Sequence, residues 1–110
     1  MSALEISEKD FLIGAKNGIQ KSQLLSIARE SGLTLTELSS YLRISTRSIQ
    51  EKEPSQLIAP GPSERALYIA RLFNMGFGVF GNQDKFRNWL NTENHAMGGE
   101  KPASYLDTFS

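Results

Sequence analysis

The chain has 110 residues but no cysteine, one histidine, four prolines and no excess of either charge. Without cysteine there can be no disulfide framework, no thiolate zinc site and no cysteine nucleophile. His95 alone cannot anchor a metal site, and between Asn94 and Ala96 it reads as a solvated turn residue. Long apolar runs are also missing, so nothing approaches the roughly 20 residues of a membrane-spanning helix. Residues 1–12 lack the basic start and apolar stretch of a secretory signal, which makes a cytoplasmic protein the expectation. No G-x-S-x-G, no glycine-rich phosphate loop leading into a helix and no H-E-x-x-H occurs, so the residues imply neither an enzyme nor a cofactor.

The balance of charge is the least expected absence. Twelve Lys and Arg face twelve Asp and Glu, and the halves do not differ: residues 1–53 carry seven of each and residues 54–110 five of each. DNA-binding domains gain much of their affinity by neutralising phosphates. By charge alone this chain has no nucleic-acid partner.

What is present is a series of helix start and stop signals. Ser7 can cap a helix over Glu8–Lys16 that stops at Asn17-Gly18. A second helix is expected over Gln20–Ser31, ending at Gly32. Thr34 with Glu37 forms a reciprocal capping box, and Leu33 with Leu38 a hydrophobic staple, for a helix over Leu35–Leu42. The same pattern recurs eleven residues later at Ser45, with Ile44 and Ile49, for a helix over Thr46–Lys52 that Pro54 ends. Residues 55–62 hold two prolines and a glycine and read as a linker. Ser63 to about Gly76 is the best amphipathic stretch, with Ala66, Ile69, Ala70 and Phe73 on one face and Leu67 and Leu72 widening it. Asn82 can cap a helix through Leu90 carrying Phe86, Trp89 and Leu90, and Pro102 can open a last short helix with Tyr105 and Leu106. No segment alternates with period two. The expected fold is all-α, with a helix-turn-helix region at 1–54, a linker at 55–62 and a second helical module at 63–110.

Two short helices joined by a tight turn at Leu35–Lys52 fit a helix-turn-helix. Leu38, Leu42, Ile44 and Ile49 supply its apolar contacts and Ser39 the small residue at the close approach. Its second helix would present Ser45, Thr46, Arg47, Ser48 and Gln50 outward, with Arg47 suited to guanine, Gln50 to adenine and Ser45 and Thr46 to phosphate. Glu51 and Glu53 oppose phosphate, and Arg43 stands at the turn position where glycine is usual. The other reading of this unit is a purely structural three-helix packing element.

The second half carries a more specific order of residues: Ser63-Glu64-Arg65, Ala70-Arg71, Val79-Phe80-Gly81, Trp89-Leu90-Asn91-Thr92, Ala96-Met97-Gly98-Gly99, Pro102 and Leu106-Asp107-Thr108. This resembles the Xre/MbcA/ParS antitoxin family, whose C-terminal toxin-binding domain has these elements in this order. The run from Gly32 through Ile49 is similar to that family's helix-turn-helix, so the resemblance spans about residues 18–110. It implies an antitoxin that blocks an NAD-degrading RES-domain toxin by direct contact, forms homodimers, and with its toxin binds its own operator as a repressor. The toxin-binding residues it implies are Arg65, Arg71, Trp89, Leu90, Gly98, Gly99, Pro102, Leu106 and Thr108.

The chain departs from the family in three respects. The second helix of its motif is less basic, Lys101 replaces the usual Thr before the proline, and family members usually continue with a glycine and a further amphipathic helix. A chain stopping at Ser110 is therefore expected to be a short member or a fragment.

Several residues keep a second reading. The spacing of Trp89 and Leu90 from Phe86 favours a core pair over an exposed anchor, and Gly98-Gly99 serves either as a tight turn or to bring backbone near a partner. Arg65 and Arg71 pair either with a toxin's carboxylates or with Glu64 and solvent. For the whole chain, a stand-alone helix-turn-helix regulator and a protein-only interaction module remain the alternatives. Zero net charge implies that one copy binds DNA weakly and needs a second copy, or a basic toxin, to complete the surface.

Overall fold

The computed structural model describes residues 2–108, apart from the side chains of Met97, Asp107 and Thr108. Its helices are α1 (Glu8–Asn17), α2 (Lys21–Ser31), α3 (Leu35–Leu42), α4 (Thr46–Gln50), α5 (Pro60–Phe80) and α6 (Gln83–Leu90), followed by a 3₁₀ turn at His95–Met97 and a 3₁₀ segment at Pro102–Thr108. The fold is all-α as expected. Among the described residues the sole strand-like pairing is an isolated antiparallel bridge between Gln20 and Leu57, and no helix is long and apolar enough to cross a membrane.

Local signals set most helix ends. Ser7 accepts from the Asp10 amide at the start of α1. Thr34 and Glu37 make both bonds of the capping box at 3.0 and 2.9 Å. Asn82 accepts from the Lys85 amide at the start of α6. Such caps satisfy amides that the first helical turn leaves without partners. Gly32 closes α2 and Gly81 closes α5 in the left-handed conformation, and Arg43 takes the same conformation (φ 59°) after α3. The side chain of Arg43 makes this turn costly by about 1 kcal/mol. The Ile44 and Arg43 amides recover part of that cost by bonding to the end carbonyls of α3.

Two helices differ from expectation. The motif's second helix ends at Gln50 rather than Lys52. The Lys52 amide bonds back to Ile49, tightening the last turn, while the Lys21 ammonium donates to the Gln50 and Lys52 carbonyls at 3.2 and 2.7 Å. The long helix starts at Pro60, three residues before Ser63, and continues through Gly76 and Gly78 to Phe80. Pro60 and Pro62 sit in its first turn, where a missing amide hydrogen loses nothing.

Residues 54–58 form a strap along the start of α2. The Lys21 amide donates to Gln56, Ser22 to Pro54 and Ile58 to Ile19, at 2.8–3.0 Å. The buried Ser63 hydroxyl joins the strap to α5, accepting from the Ile19 amide at 3.0 Å and donating to the Ile58 carbonyl at 3.1 Å. Gly18 lies beneath, where a side chain would run into the Ile58 carbonyl.

The core is organised around α5, against which α1, α2, α3 and α6 all pack. Its buried side chains (Ala66, Leu67, Ile69, Ala70 and Phe73) lie on several sides of the helix, and one apolar cluster runs without a break from Leu4 to Leu106. The final 3₁₀ segment packs on both α3 and α6.

The N-terminal segment is held by Glu30, whose carboxylate accepts from Ser2 Oγ at 2.8 Å and the Ala3 amide at 3.0 Å. The Ser2 hydroxyl first, and then the Ala3 amide, hold the Glu30 carboxyl below its ordinary value. Because the folded value is depressed, this clamp is complete above the ordinary carboxylate range and is lost as pH falls through the folded value. The Ala3 amide resonance is expected to titrate with a midpoint below that range in an NMR pH series. A midpoint at or above it would show that the clamp does not form.

Candidate functional site

Two surfaces carry the residues singled out from the sequence. The first is the α3–α4 pair. Leu38, Leu42 and Ile49 are buried at its centre, and Ser39 is buried with its hydroxyl bonded to the Leu35 carbonyl at 2.7 Å. Ser45 caps α4, accepting from the Ser48 amide at 3.0 Å, and its hydroxyl also bonds the Ser48 hydroxyl at 2.7 Å. Thr46 is half-buried, and Arg47, Ser48 and Gln50 are exposed on the outer side. The Arg47 guanidinium lies against Glu51, Nε to Oε1 at 2.7 Å, with both side chains in solvent. A pair so exposed contributes little to stability. It lowers the positive potential of the only arginine on α4.

The second surface is built by the end of α5, α6 and the segment after it. Phe86 is fully enclosed by rings: Phe73, Phe77 and Phe80 stand at centroid distances of 5.2, 5.7 and 5.6 Å, and Trp89 stacks at 6.0 Å. Gly76 makes this possible, since a side chain there would occupy the space of the Phe86 ring. The Trp89–Leu90 pair, read from spacing as a core pair, is split. Leu90 is buried at 4% exposure, while Trp89 keeps 37% and leans its ring on Phe80 at 5.5 Å.

Beyond α6 the chain turns back through a compact loop. The Asn94 side chain accepts from the Ala96 amide, the Gly99 amide donates to the Asn94 carbonyl and the Asn94 amide to that of Glu100. Gly98 and Gly99 are exposed with φ of 69° and 85°. Open space surrounds both, so backbone conformation alone, not crowding, demands glycine there. Pro102 and Leu106 are buried and fasten the last segment to α3 and α6. The backbone of Thr108 closes that segment; its side chain lies outside the described residues.

The arginines separate as well. Arg71 pairs with Glu8 of α1 at 3.2 Å and lies 4.3 Å over the Phe11 ring, an intramolecular role rather than one with Glu64. Arg65 is half-buried one turn and a half earlier on α5. His95 is exposed in its 3₁₀ turn. The cavity between α3, α6 and the final segment, lined by Leu33, Glu37, Tyr41, Phe73, Arg87 and Leu106 among others, holds about 50 Å³. That is room for a water, not for a metabolite.

Sequence reasoning named Val79 only within the run Val79-Phe80-Gly81 and Met75 not at all, yet these are the two most exposed large apolar side chains of the described residues. The available signal was the absence of any charge from Leu72 to Gln83.

The end of α5 and the outer side of α6 thus leave Met75, Val79 and Trp89 open to solvent. Residues 75–110 match the family model of the antitoxin Xre/MbcA/ParS C-terminal toxin-binding domain. That stretch is thus similar to a toxin-binding domain of that family. No curated protein and no solved structure matches the chain.

The enclosed Phe86 ring generates a stability prediction. Gly76→Ala gains about 1 kcal/mol in helix propensity but overpacks the ring cluster, at a cost of about 1–3 kcal/mol. Urea unfolding is expected to show a net loss. A gain would mean that the α5–α6 contact is loose.

Proposed function

We propose that this chain is the antitoxin of a RES-domain, NAD-degrading toxin, which it neutralises by direct contact, and that together they repress their own operon. The observation that carries the reading is the family match over residues 75–110, falling on the part of the chain where apolar side chains and left-handed glycines stand open to solvent. Trp89, Gly98 and Gly99 are the accessible members of the toxin-binding set. Leu90, Pro102 and Leu106 act by holding them in place, Arg71 by anchoring α1 on α5, and Arg65 and Thr108 complete the set.

The repressor function rests on α3 and α4, whose capped, staple-locked arrangement supports a helix-turn-helix with Arg47 and Gln50 at the reading end and Ser45, Thr46 and Ser48 toward phosphate. A homodimer supplies the two half-sites, and doubling the contact offsets the neutral charge of each copy. The Arg47–Glu51 pair and the even charge favour one competing reading, a protein-only interaction module in which α4 never meets DNA.

Co-expression with the RES-domain toxin encoded by the neighbouring reading frame is expected to restore growth and cellular NAD, and the two proteins are expected to elute as one complex. Undiminished toxicity with no complex would refute neutralisation.

In gel-shift titrations on the operon's upstream DNA, Arg47→Ala and Gln50→Ala are each expected to cost about 1–3 kcal/mol if they contact bases. Unchanged affinity in both variants removes α4 from the interface, and no shift even at low salt supports the protein-only module.

A further inference from the structure

The two glycines inside α5 have different explanations. Gly76 is required by the protein's own packing, because Phe86 occupies the space of any side chain there. Gly78 is exposed, helical and surrounded by open space. An interior helical glycine costs about 1 kcal/mol relative to alanine, and no contact within the chain accounts for that cost. Gly78 follows Met75 by three residues and precedes Val79, so the three share one face of α5. Met75 is 62% and Val79 75% exposed. Phe80, the next residue, leans on the partly exposed Trp89. The twelve residues from Leu72 to Gln83 carry no charge, so nothing here favours a charged partner. All of these apolar side chains fall within residues 75–110, the segment matched as toxin-binding.

We infer that the Met75–Gly78–Val79 face of α5, continued by Phe80 and Trp89, is where the toxin docks. Gly78 is the point at which an apolar, uncharged element of the toxin comes against bare helix backbone. This rests on the antitoxin reading above and names its contact surface. A side chain at position 78 blocks the approach without disturbing the antitoxin's own fold. Open, apolar and lacking any internal reason for its glycine, the face is built for a partner rather than for the core.

The test uses the full chain and the purified RES-domain toxin from the neighbouring frame, with affinity read by calorimetry and folding by thermal melting. Gly78→Leu is expected to weaken toxin binding about thirty-fold or more, the effect of losing a central interface contact, while melting at the wild-type temperature or above it. Met75→Lys with Val79→Lys should weaken binding to a similar extent. Leu12→Lys, which alters an exposed apolar residue of α1, should leave binding unchanged. Wild-type affinity in both the Gly78 and the double variant overturns the inference while leaving the antitoxin reading intact. A lowered melting temperature for Gly78→Leu overturns it too, by showing that the glycine serves the fold. If the double substitution dissociates a dimer of this chain but leaves toxin affinity unchanged, the face joins two copies instead. No binding by the wild-type chain overturns the antitoxin reading itself.

Discussion

The Ser63 hydroxyl is the constraint on which the arrangement of the chain depends. Fully buried, it accepts a hydrogen bond from the Ile19 amide and donates one to the Ile58 carbonyl. It thus joins the α1–α2 junction, the strap and the first turn of α5 at one point. A buried polar group left without a partner costs roughly 1–3 kcal/mol, so the pairing of these backbone groups with the serine keeps that cost from the junction. The strap is thereby held along α2, and the Lys21 ammonium, reaching across, takes the carbonyl of Gln50 at the end of α4 and that of Lys52 just beyond it. The end of α4 is thus tied to the start of α2, while Ile49 buries its inner side in the core.

A second consequence is mechanical. The segment matched as toxin-binding does not hang from the rest of the chain by a flexible connection. Phe73 and Phe86 join α5 to α6, and Leu106 and Ala103 lay the final 3₁₀ segment against α3. The helix that supports the proposed reading helix therefore shares its core with the proposed toxin-binding surface. Close-packed interiors transmit displacement because their side chains have little free space into which to relax. The aromatic cluster takes up the inner faces of α5 and α6, and Met75, Val79 and part of Trp89 are left outward, as Leu12 and Ile13 are on α1.

Much of the fold was legible because its signals are local. A serine or threonine with a carboxylate three residues on, or a glycine after the last apolar position, states a helix end through hydrogen bonds that span only a few residues; α1, α2, α3 and α6 were read this way. The errors fell where distant residues decide. The end of α4 depends on Lys21, twenty-nine residues before Gln50. The start of α5 was missed because prolines suggest a linker, although the first helical turn accepts them. Trp89 and Leu90 share one helical face by spacing, yet only the position of α5 shows that one is covered and the other left partly open. Arg71 has no sequence neighbour that announces Glu8 and Phe11 as its partners.

By itself the sequence determined the all-helical class, the caps, the left-handed turn at Arg43 and the run of residues from Ser63 to Thr108 that resembles an antitoxin's toxin-binding domain. These follow from nearest-neighbour chemistry and residue order, which need no fold to be read. Only the tertiary structure decided which apolar side chains are core and which are surface, that the strap is hydrogen-bonded along α2, and that Gly76 serves the protein's own packing while Gly78 does not. Burial belongs to pairs of surfaces rather than to single helices, and two glycines on one helix become different only once it is known what lies opposite each.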